Sequence, residues 1–513
     1  MRELFMAESG KEPGKELGNG QGRVAQSVPG VSPGRRSPSW MLANIGLLFA
    51  FFACGSTAQS AAAEELVVYP PPAPPEFYSH HNDDFTVRVR QPGGPWQDLY
   101  EYKVMVDLDK PQAASMVRFD MDGPVEVSVR KNNGDFRSVR VRPEAAGVEA
   151  KIGRFGHTAT FTLDQPRKLS VEFDGDRLHN LHVMANPIEA DKPDPNSPDV
   201  IWFGPGVHEP PENEPGFRIP SNKTVYLEPS ALLRGPVILE RVENVKILGR
   251  GMLDRPDRGF QVTFSKNILI DGPTVLNPKH YTVFCGQSEG LAIRNIKTFS
   301  ADKWSDGLDF MSCSDIEVDN AFLRTSDDSI AIYGHRWEYY GDARNYRITN
   351  SVLWADVAHP INIGLHGNAE EGSEGEVIED LVFRNIDILQ HDEDDPNYQG
   401  AMAVSNSDRN LVRNLLFENI RVEDFQEGQL LNLRVVFNEK YSGAPGRGIE
   451  NVTFRNVSYA GPNSHTSVVA GYDAERAVRG VLFENLRING RRMRNAAQAN
   501  LDIGDHVSDV RFR

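Results

Sequence analysis

The chain has 513 residues and a formal net charge of −17, from 72 acidic and 55 basic side chains. This acidity argues against a nucleic-acid partner, because phosphate groups require a basic surface. The length exceeds that of one ordinary domain, and a hydrophobic content of 39% with a charged content of 25% argues against a mainly disordered protein.

The first 63 residues indicate a disordered leader followed by a secretory signal. Residues 1–40 are rich in Gly, Pro, Ser and charge and show no apolar periodicity, which indicates disorder or an upstream start that is not used. Arg35 and Arg36 then precede a short apolar run, Met41 to Ala53, and small residues follow at 61–63. A basic flank, a short apolar stretch and a small-residue cleavage site are typical of a signal peptide.

We therefore expect a secreted or periplasmic protein with no membrane span once the signal is removed. A run of this length is too short to cross a bilayer comfortably. The alternatives are a membrane anchor and, as a minor option, a lipid attached to Cys54, which follows Phe51-Phe52-Ala53.

Residues 64–195 alternate apolar and polar side chains in short runs broken by Gly, Pro, Asp and Asn. Phe85 to Arg90 and Val125 to Arg130 are examples. Period-two alternation with frequent turn signals predicts a β-sandwich. The proline-rich stretch from Pro187 to Pro198 is interpreted as a linker or strap. We interpret the sandwich mainly as a structural support, with glycan binding as the alternative.

From residue 196 to 513 one short pattern recurs, in which alternating apolar residues lead into an asparagine. The copies are 23 to 37 residues apart, and the repeated unit is a strand because its apolar residues alternate. One clear strand per repeat predicts a right-handed parallel β-helix, in which the stacked asparagines form a hydrogen-bonded ladder. The fold class is thus all-β, a β-sandwich followed by a β-helix. The repeat asparagines are Asn295, Asn320, Asn350, Asn385, Asn419, Asn456 and Asn485, and Gly249 and Gly272 take this place in earlier copies.

The chain has three cysteines, Cys54, Cys285 and Cys313. So few cysteines provide neither a disulfide framework nor a Cys-based zinc site. We expect Cys285 and Cys313 to be buried core residues.

The ladder also aligns a set of polar residues on three successive coils. Asp306 lies eleven residues past the asparagine of its coil. Asp327 and Asp328 lie seven and eight past the next asparagine, and His359 lies nine past the one after. Each group precedes an apolar alternation, so we expect these side chains to form one patch on an outer face.

Three carboxylates one or two strand spacings apart repel one another, which keeps at least one protonated near neutral pH. A protonated acid beside an ionised carboxylate is the pair that glycoside cleavage requires. Clustered aspartates also bind calcium on β-solenoids, and a solvated acidic turn is a third interpretation.

The signatures S-D-G at 305–307, S-D-D-S at 326–329 and A-H-P-I-N-I-G at 358–364 resemble glycoside hydrolase family 28, the polygalacturonases, whose signatures are N-T-D-G, G-D-D and G-H-G. The preceding sandwich is more similar to family 49, the dextranases and isopullulanases. The resemblance implies a three-aspartate inverting hydrolase with Asp327 as general acid, Asp306 and Asp328 as the pair that activates water, and His359 supporting the acid or binding sugar. It implies no cofactor and no metal.

The sequence departs from family 28 where the substrate carboxylate is read. The family carries an R-I-K tripeptide on the coil after the histidine, whereas this chain has Gly400-Ala-Met-Ala-Val-Ser-Asn406. Arg434, one coil further, is a partial substitute. Ser305, Ala358 and Pro360 are further departures. With the acidic net charge, this favours a neutral or differently charged glycan over polygalacturonate.

Sugar rings need flat aromatic platforms. The insertion from His335 to Tyr340 follows the aspartate pair and contains Trp337 and Tyr340 as candidates, each equally open to packing within the loop. Trp304 and Tyr398 are further candidates. By strand alternation, Asp309 should point away from Asp306. His366 is expected to be incidental.

We predict a secreted, monomeric polysaccharide hydrolase, polygalacturonase-like or dextranase-like. The alternatives are a polysaccharide lyase, for which the matching strands offer no Lys or Arg beside the cluster, and a non-catalytic glycan-binding β-helix. The sugar, the linkage and endo or exo action stay open.

Overall fold

The structure is a computed structural model that describes residues 65–513. The predicted leader, signal peptide and lipid site at Cys54 lie outside the described residues. Among residues 65–513, no helix combines the length and apolar character needed to span a membrane.

The N-terminal module is a sandwich of two sheets, as the period-two alternation predicts. Inward side chains such as Val87, Val127 and Val171 are fully buried between the sheets. One sheet contains Glu65–Val68, Tyr102–Val106, Gln112–Asp122, Val139–Arg142, Lys168–Phe173 and Asp176–Pro187. The other contains Phe85–Arg90, Gln97–Asp98, Val125–Lys131, Lys151–Ile152 and Thr158–Leu163. A short helix, Glu76–Ser79, and a 3₁₀ turn, Glu144–Ala146, complete the module.

After residue 200 the chain forms a parallel β-helix, which confirms the predicted fold class. A typical coil contributes three strands, one to each of three faces, rather than the single strand evident from the sequence. The first face contains Val200–Phe203, Thr224–Leu227, Glu243–Gly249, Lys266–Asp271, Glu289–Arg294, Ser314–Asp319, Ala343–Thr349, Val377–Gln390, Leu411–Val422, Gly448–Arg455, Val478–Glu484 and Val507–Phe512.

The second face is built of short strands, and the long strands Val377–Gln390 and Leu411–Val422 run from the first face into it. Its other strands are Gly206–His208, Ala231–Leu233, Met252–Asp254, Thr274–Leu276, Lys297–Phe299, Phe322–Thr325, Val352–Ala355, Ser458–Tyr459 and Arg487–Ile488, with Arg491–Arg492 antiparallel at the end.

The third face contains Phe217–Arg218, Val237–Glu240, Phe260–Thr263, Val283–Gly286, Leu308–Met311, Ile330–Tyr333, Ile361–Ile363, Met402–Asn406, Leu431–Val435, Ser467–Ala470 and Leu501–Ile503. A separate two-stranded ladder joins Gly428–Gln429 to Ser464–His465.

The predicted asparagines stand at corners of the coils. All seven have a positive φ, between 49° and 57°, a region that asparagine tolerates better than most residues. Their amides bond along the axis, as where Asn385 donates to Asn350 at 2.6 Å and Asn485 donates to Asn456 at 2.9 Å. The ladder is interrupted at Asn320, whose amide oxygen accepts a hydrogen bond from Lys168 of the sandwich.

The sandwich lies directly on the second face of the β-helix. Apolar side chains from both, including Met116 and Met184 of the sandwich and Phe299 and Trp354 of the helix, form one buried cluster. Charged groups reinforce the contact, as where Arg142 meets Glu423 at 2.6 Å. The described residues thus form one compact unit rather than two domains on a loose linker.

The two buried cysteines form a disulfide, which the sequence analysis did not predict. Cys285 lies in a third-face strand and Cys313 follows the next one, and both are fully buried. The cysteines therefore do more than fill the core, because their bond closes a covalent loop across one coil.

We expect the double substitution Cys285→Ser with Cys313→Ser to lower the free energy of unfolding by about 2–4 kcal/mol, because the unfolded chain gains the freedom of an open loop. Denaturant unfolding measures this difference. As a control, a thiol reductant should lower the midpoint of the wild-type protein and leave that of the double variant unchanged. Equal midpoints of both proteins without reductant would contradict the expectation.

Candidate active site

The predicted polar patch lies where the second face turns into the third. Strand pairing aligns Leu308 with Ile330, and the following strand continues the register with Asn362 opposite Ala331. Asp306, Asp328 and His359 each stand two residues before these aligned strands, so they form one column. The ladder count from the sequence therefore corresponds to the register of the coils.

Backbone contacts between coils hold this column tightly. The amide of Gly307 donates to the carbonyl of Asp328 at 2.8 Å, and the amide of Ser329 donates to the carbonyl of His359 at 2.7 Å. A β-carbon on Gly307 would lie 2.3 Å from the carbonyl oxygen of Ser329, which explains the glycine after Asp306. The coils can approach this closely only because position 307 has no side chain.

The sandwich also contacts the turn that carries Asp327 and Asp328. The backbone amide of Leu108 donates to the hydroxyl of Ser326 at 3.0 Å, directly before Asp327. The same hydroxyl donates to the carbonyl of Ser300 at 2.9 Å. Behind the turn, buried Arg324 holds Asp356 at 2.7 Å and donates to Asn180 of the sandwich at 3.0 Å.

Carboxylate oxygens of Asp306, Asp327 and Asp328 lie within 4.8 Å of one another. Asp306 and Asp328 are nearly buried, whereas Asp327 is partly exposed. Three carboxyl groups so close together cannot all be charged at low cost. The surroundings of each carboxyl group shift its pKa differently.

Asp328 is held in its ionised form. Burial alone would raise its pKa, but the charge of His359 and hydrogen bonds from His359 and Asn362 outweigh that effect and keep the pKa below its usual range. The His359 ring meets one carboxylate oxygen at 2.7 Å, and the Asn362 amide donates to the other at 2.8 Å.

His359 is fully buried behind the aspartates and has no exposed surface. Burial disfavours its charged form, yet Asp328 overcomes this and raises the pKa of His359 to about 9. Its other ring nitrogen contacts the carbonyl of Tyr398 at 2.5 Å. Because the side chain has no exposed surface, the direct sugar contact expected for His359 does not fit, and its contacts are those of a residue that positions Asp328.

Asp327 has the opposite character. Burial and the neighbouring charge of Asp328 raise its pKa to about 7. The backbone amide of Asp328 donates to its carboxyl oxygen at 2.9 Å, which limits the shift. Asp327 can therefore carry a proton near neutral pH on a side chain that is partly exposed.

Asp309 corrects an expectation from the sequence. Its carboxyl group is fully buried and lies close enough to that of Asp306 for each charge to act on the other, instead of pointing away from it. Burial, followed by mutual repulsion within the cluster, raises the pKa of both groups well above the usual range. The expectation from strand alternation is wrong because Asp306 lies before the strand Leu308–Met311, in a turn where side chains do not alternate between faces.

The acidic cluster fits a cation less well than it fits proton transfer. Calcium requires six to eight oxygen ligands, mostly ionised. Both oxygens of Asp328 already accept hydrogen bonds from His359 and Asn362, which leaves this carboxylate less free to bind an ion.

The structure brings some predicted sugar platforms to the site and leaves others away from it. Trp304 is 54% exposed and Trp337 is 45% exposed. The Trp337 ring contacts Tyr281, which is next to Asp306 in the column. The Trp304 ring contacts His280, which in turn contacts Tyr281. Tyr340 stacks instead on His335, on the side of Glu376 and Asp408.

Three further predicted residues have less direct relations to the cluster. Arg434 donates to Asn397 of the acidic loop, at 3.3 Å from the side-chain oxygen, and no described interaction joins it to the aspartates. Tyr398 is nearly buried, and its hydroxyl accepts a hydrogen bond from Asn362 at 2.8 Å. His366 packs its ring against Tyr333.

The sequence analysis missed several groups that surround the site. Arg336, in the insertion after the aspartate pair, lowers the pKa of Asp306 and Asp309 by its charge. Glu393 raises the pKa of Asp327 from the other side, and Tyr441 also faces that carboxyl. All three come from loops of irregular length, where a repeat count gives no position.

Comparison with known proteins identifies relatives of this site. The family model "Glycosyl hydrolases family 28" matches residues 251–503. Probable endopolygalacturonase D of Neosartorya fischeri is 22% identical over 253 residues, which are 49% of this chain and 46% of the relative, so the chain spans about half the length of this curated relative.

A solved structure shares the fold. Dex49A from Penicillium minioluteum superposes with a TM-score of 0.52 at 14% identity, covering 87% of this chain and 96% of Dex49A. The family 28 exopolygalacturonase of Yersinia enterocolitica has a TM-score of 0.45 at 12% identity, covering 75% and 96% of the two chains.

The match spans the coils that carry the column of Asp306, Asp328 and His359. It confirms the resemblance indicated by the aspartate signatures: residues 251–503, just under half of the chain, match the glycosyl hydrolase family 28 model.

Proposed function

We propose that this protein is a secreted glycoside hydrolase that cleaves a polysaccharide with Asp327 as its general acid. The observation that carries the proposal is a partly exposed carboxyl group with a pKa of about 7 beside a carboxylate kept ionised by His359. An acid and a base separated by their environments are what glycosidic cleavage requires.

In the proposed reaction Asp327 donates its proton to the leaving glycosidic oxygen as the bond to the anomeric carbon breaks. A water molecule attacks that carbon and gives its proton to the ionised Asp328. His359 keeps Asp328 charged and correctly oriented. Attack from the face opposite the leaving group inverts the anomeric centre.

The disulfide supports the secreted location. Disulfides persist mainly in oxidising compartments outside the cytosol. The buried bond between Cys285 and Cys313 is consistent with the signal-like segment before residue 64.

We expect Asp327→Asn to lower kcat by a factor of about 10³ or more, because general acid catalysis alone contributes about 10²–10⁴. Since the acid must be protonated, wild-type activity should hold below pH 7 and fall as the pH rises through about 7. Reducing-sugar release from pectic, α-glucan and arabinan substrates across pH 4–10 measures both effects. Any residual activity of the variant should lack this alkaline decline.

Asp302→Asn is the matched control, because Asp302 is an exposed carboxyl on the loop that leads to Asp306. It should retain wild-type activity. Full activity of Asp327→Asn would refute the assigned acid. Products that absorb in the ultraviolet would establish a lyase, and no cleavage of any substrate would favour the glycan-binding alternative.

The anomeric outcome tests the proposed route separately. The carboxyl oxygens approach within 4.8 Å, closer than the ~6.5–9.5 Å between carboxyl groups common among inverting enzymes. We expect proton NMR of the first product to show the anomer opposite to that of the substrate. Retained configuration would instead indicate a covalent intermediate on one of the aspartates.

A further inference from the structure

A cavity of about 500 Å³ lies between the sandwich and the β-helix. Asn320, which lines it, precedes the second-face strand Phe322–Thr325, whereas Asp327 follows that strand. The cavity and the aspartate cluster therefore lie at opposite ends of the second face. A volume of this size falls within the range of small-molecule sites, about 300–1,000 Å³.

Two turns of the sandwich and one corner of the coils form the walls of this cavity. The sandwich turns contain Ala146 and Pro166, and the β-helix contributes the ladder residues Asn320, Asn350 and Asn385. Apolar carbons and hydrogen-bonding groups thus line the same space. This combination is the usual character of a small-molecule site.

Lys168 reaches this cavity from the sandwich and keeps unused hydrogen-bond donors. Only 6% of the residue is exposed, and its ammonium group donates to the amide oxygen of Asn320. Within residues 65–513 the ammonium group has no other hydrogen-bond or ion-pair partner, although it can donate three bonds. Unmet donors on a buried cation are costly, so a ligand that accepts from them gains affinity.

The neighbouring buried lysine is satisfied by the protein alone. Lys297 donates to the side-chain oxygen of Asn186 at 3.1 Å and to the carbonyls of Gly272 and Asn295 at 2.8 and 2.7 Å. These bonds use its three donors, and it does not line the cavity. Lys168 differs from it in both respects.

Arg167 adds a second unmet donor to the same cavity. Its Nε is buried without a hydrogen-bond partner, and one of its terminal nitrogens lies 3.8 Å from the carboxylate of Asp164. Asp387 also lines the cavity, but it accepts two hydrogen bonds from Arg421, and this pair is neutral. The donors that Lys168 and Arg167 leave unmet are therefore cationic.

We propose that this cavity binds a small oxyanion, a carboxylate or phosphate group, between Lys168 and Arg167. Both side chains offer charge-assisted hydrogen bonds, which are stronger than those between neutral groups. The asparagine corner and the apolar walls accommodate the rest of the ligand. The site does not depend on the hydrolase proposal, because it shares no residue with the aspartate cluster.

The protonation of Lys168 makes this binding depend on pH. Burial, followed by the charge of Arg250, lowers the pKa of Lys168 to about 7, and Asp319 and Asp271 act in the opposite direction. Buried Lys297 is a further positive neighbour. An oxyanion favours the ammonium form, so binding should be strongest below pH 7 and weaken as the pH rises through about 7. The charged groups that face Lys168 from the cavity lining are Arg167, Asp387 and Arg421.

Acetylation of individual lysines, quantified by peptide mass spectrometry, tests the proposal on the full chain. The uncharged amine is the reactive form, so Lys168 should be labelled near neutral pH through the open cavity. The probes are glycerate, glycerol 3-phosphate and glycerol. They share a three-carbon skeleton, so they separate a carboxylate from a phosphate and a charged ligand from a neutral one.

We expect saturating glycerate or glycerol 3-phosphate, or both, to slow acetylation of Lys168 by about tenfold, as nine-tenths occupancy of the site requires. Glycerol should leave the rate unchanged, and exposed Lys151 should be labelled equally in every sample. The anion concentration that gives half-protection should rise as the pH increases through about 7.

Arg167→Gln should raise the anion concentration for half-protection by about tenfold or more, because one charge-assisted hydrogen bond is lost. Arg154→Gln is the matched control, since Arg154 is an exposed arginine of the sandwich that does not line the cavity, and it should match the wild-type protein. Circular dichroism establishes that each variant is folded.

Four results would overturn the inference. These are no acetylation of Lys168 in the free protein, no protection by either anion, equal protection by glycerol, and protection that is unchanged in Arg167→Gln. None of them depends on whether the protein cleaves a glycan, so the site and the hydrolase proposal stand or fail separately.

Discussion

The stacking of parallel coils is the constraint on which the site depends. Neighbouring strands in a sheet lie about 4.8 Å apart, and the chain cannot change that spacing without losing its backbone hydrogen bonds. Identical positions on successive coils are therefore forced together, and Asp306 and Asp328 meet as neighbours in one column. The repulsion between them is a consequence of the fold, and the surrounding residues determine which carboxyl keeps its proton.

Those surrounding residues divide the cluster into three environments. His359 and Asn362 supply charge and hydrogen bonds to Asp328 alone, so this carboxylate stays ionised. Asp306 and Asp309 lack such donors and are buried together, with Arg336 as the nearby positive charge. Asp327 remains at the edge of the cluster, partly exposed, with a pKa of about 7. Similar side chains thus acquire different chemistry from their neighbours.

Repetition explains what the sequence could and could not predict. The asparagine corners, the β-helix and the column containing His359 follow from a periodic pattern, and the structure contains all three. Arg336 and Glu393 lie in irregular loops, so no count along the repeat could place them. The disulfide of Cys285 and Cys313 requires proximity across a coil, which two isolated cysteines in a sequence do not reveal. The second and third faces have strands too short to show an alternation.

The hydrogen bond from Leu108 to Ser326 has a consequence for how this protein can be divided or recombined. The family 28 match begins at residue 251, yet a backbone group more than a hundred residues earlier supports the turn that presents Asp327. Replacing the sandwich with another module would leave Trp354 and Phe299 uncovered as well as that turn unsupported. The sandwich and the β-helix therefore have to change together, and the part of the chain that supports the site is larger than the segment that matches family 28.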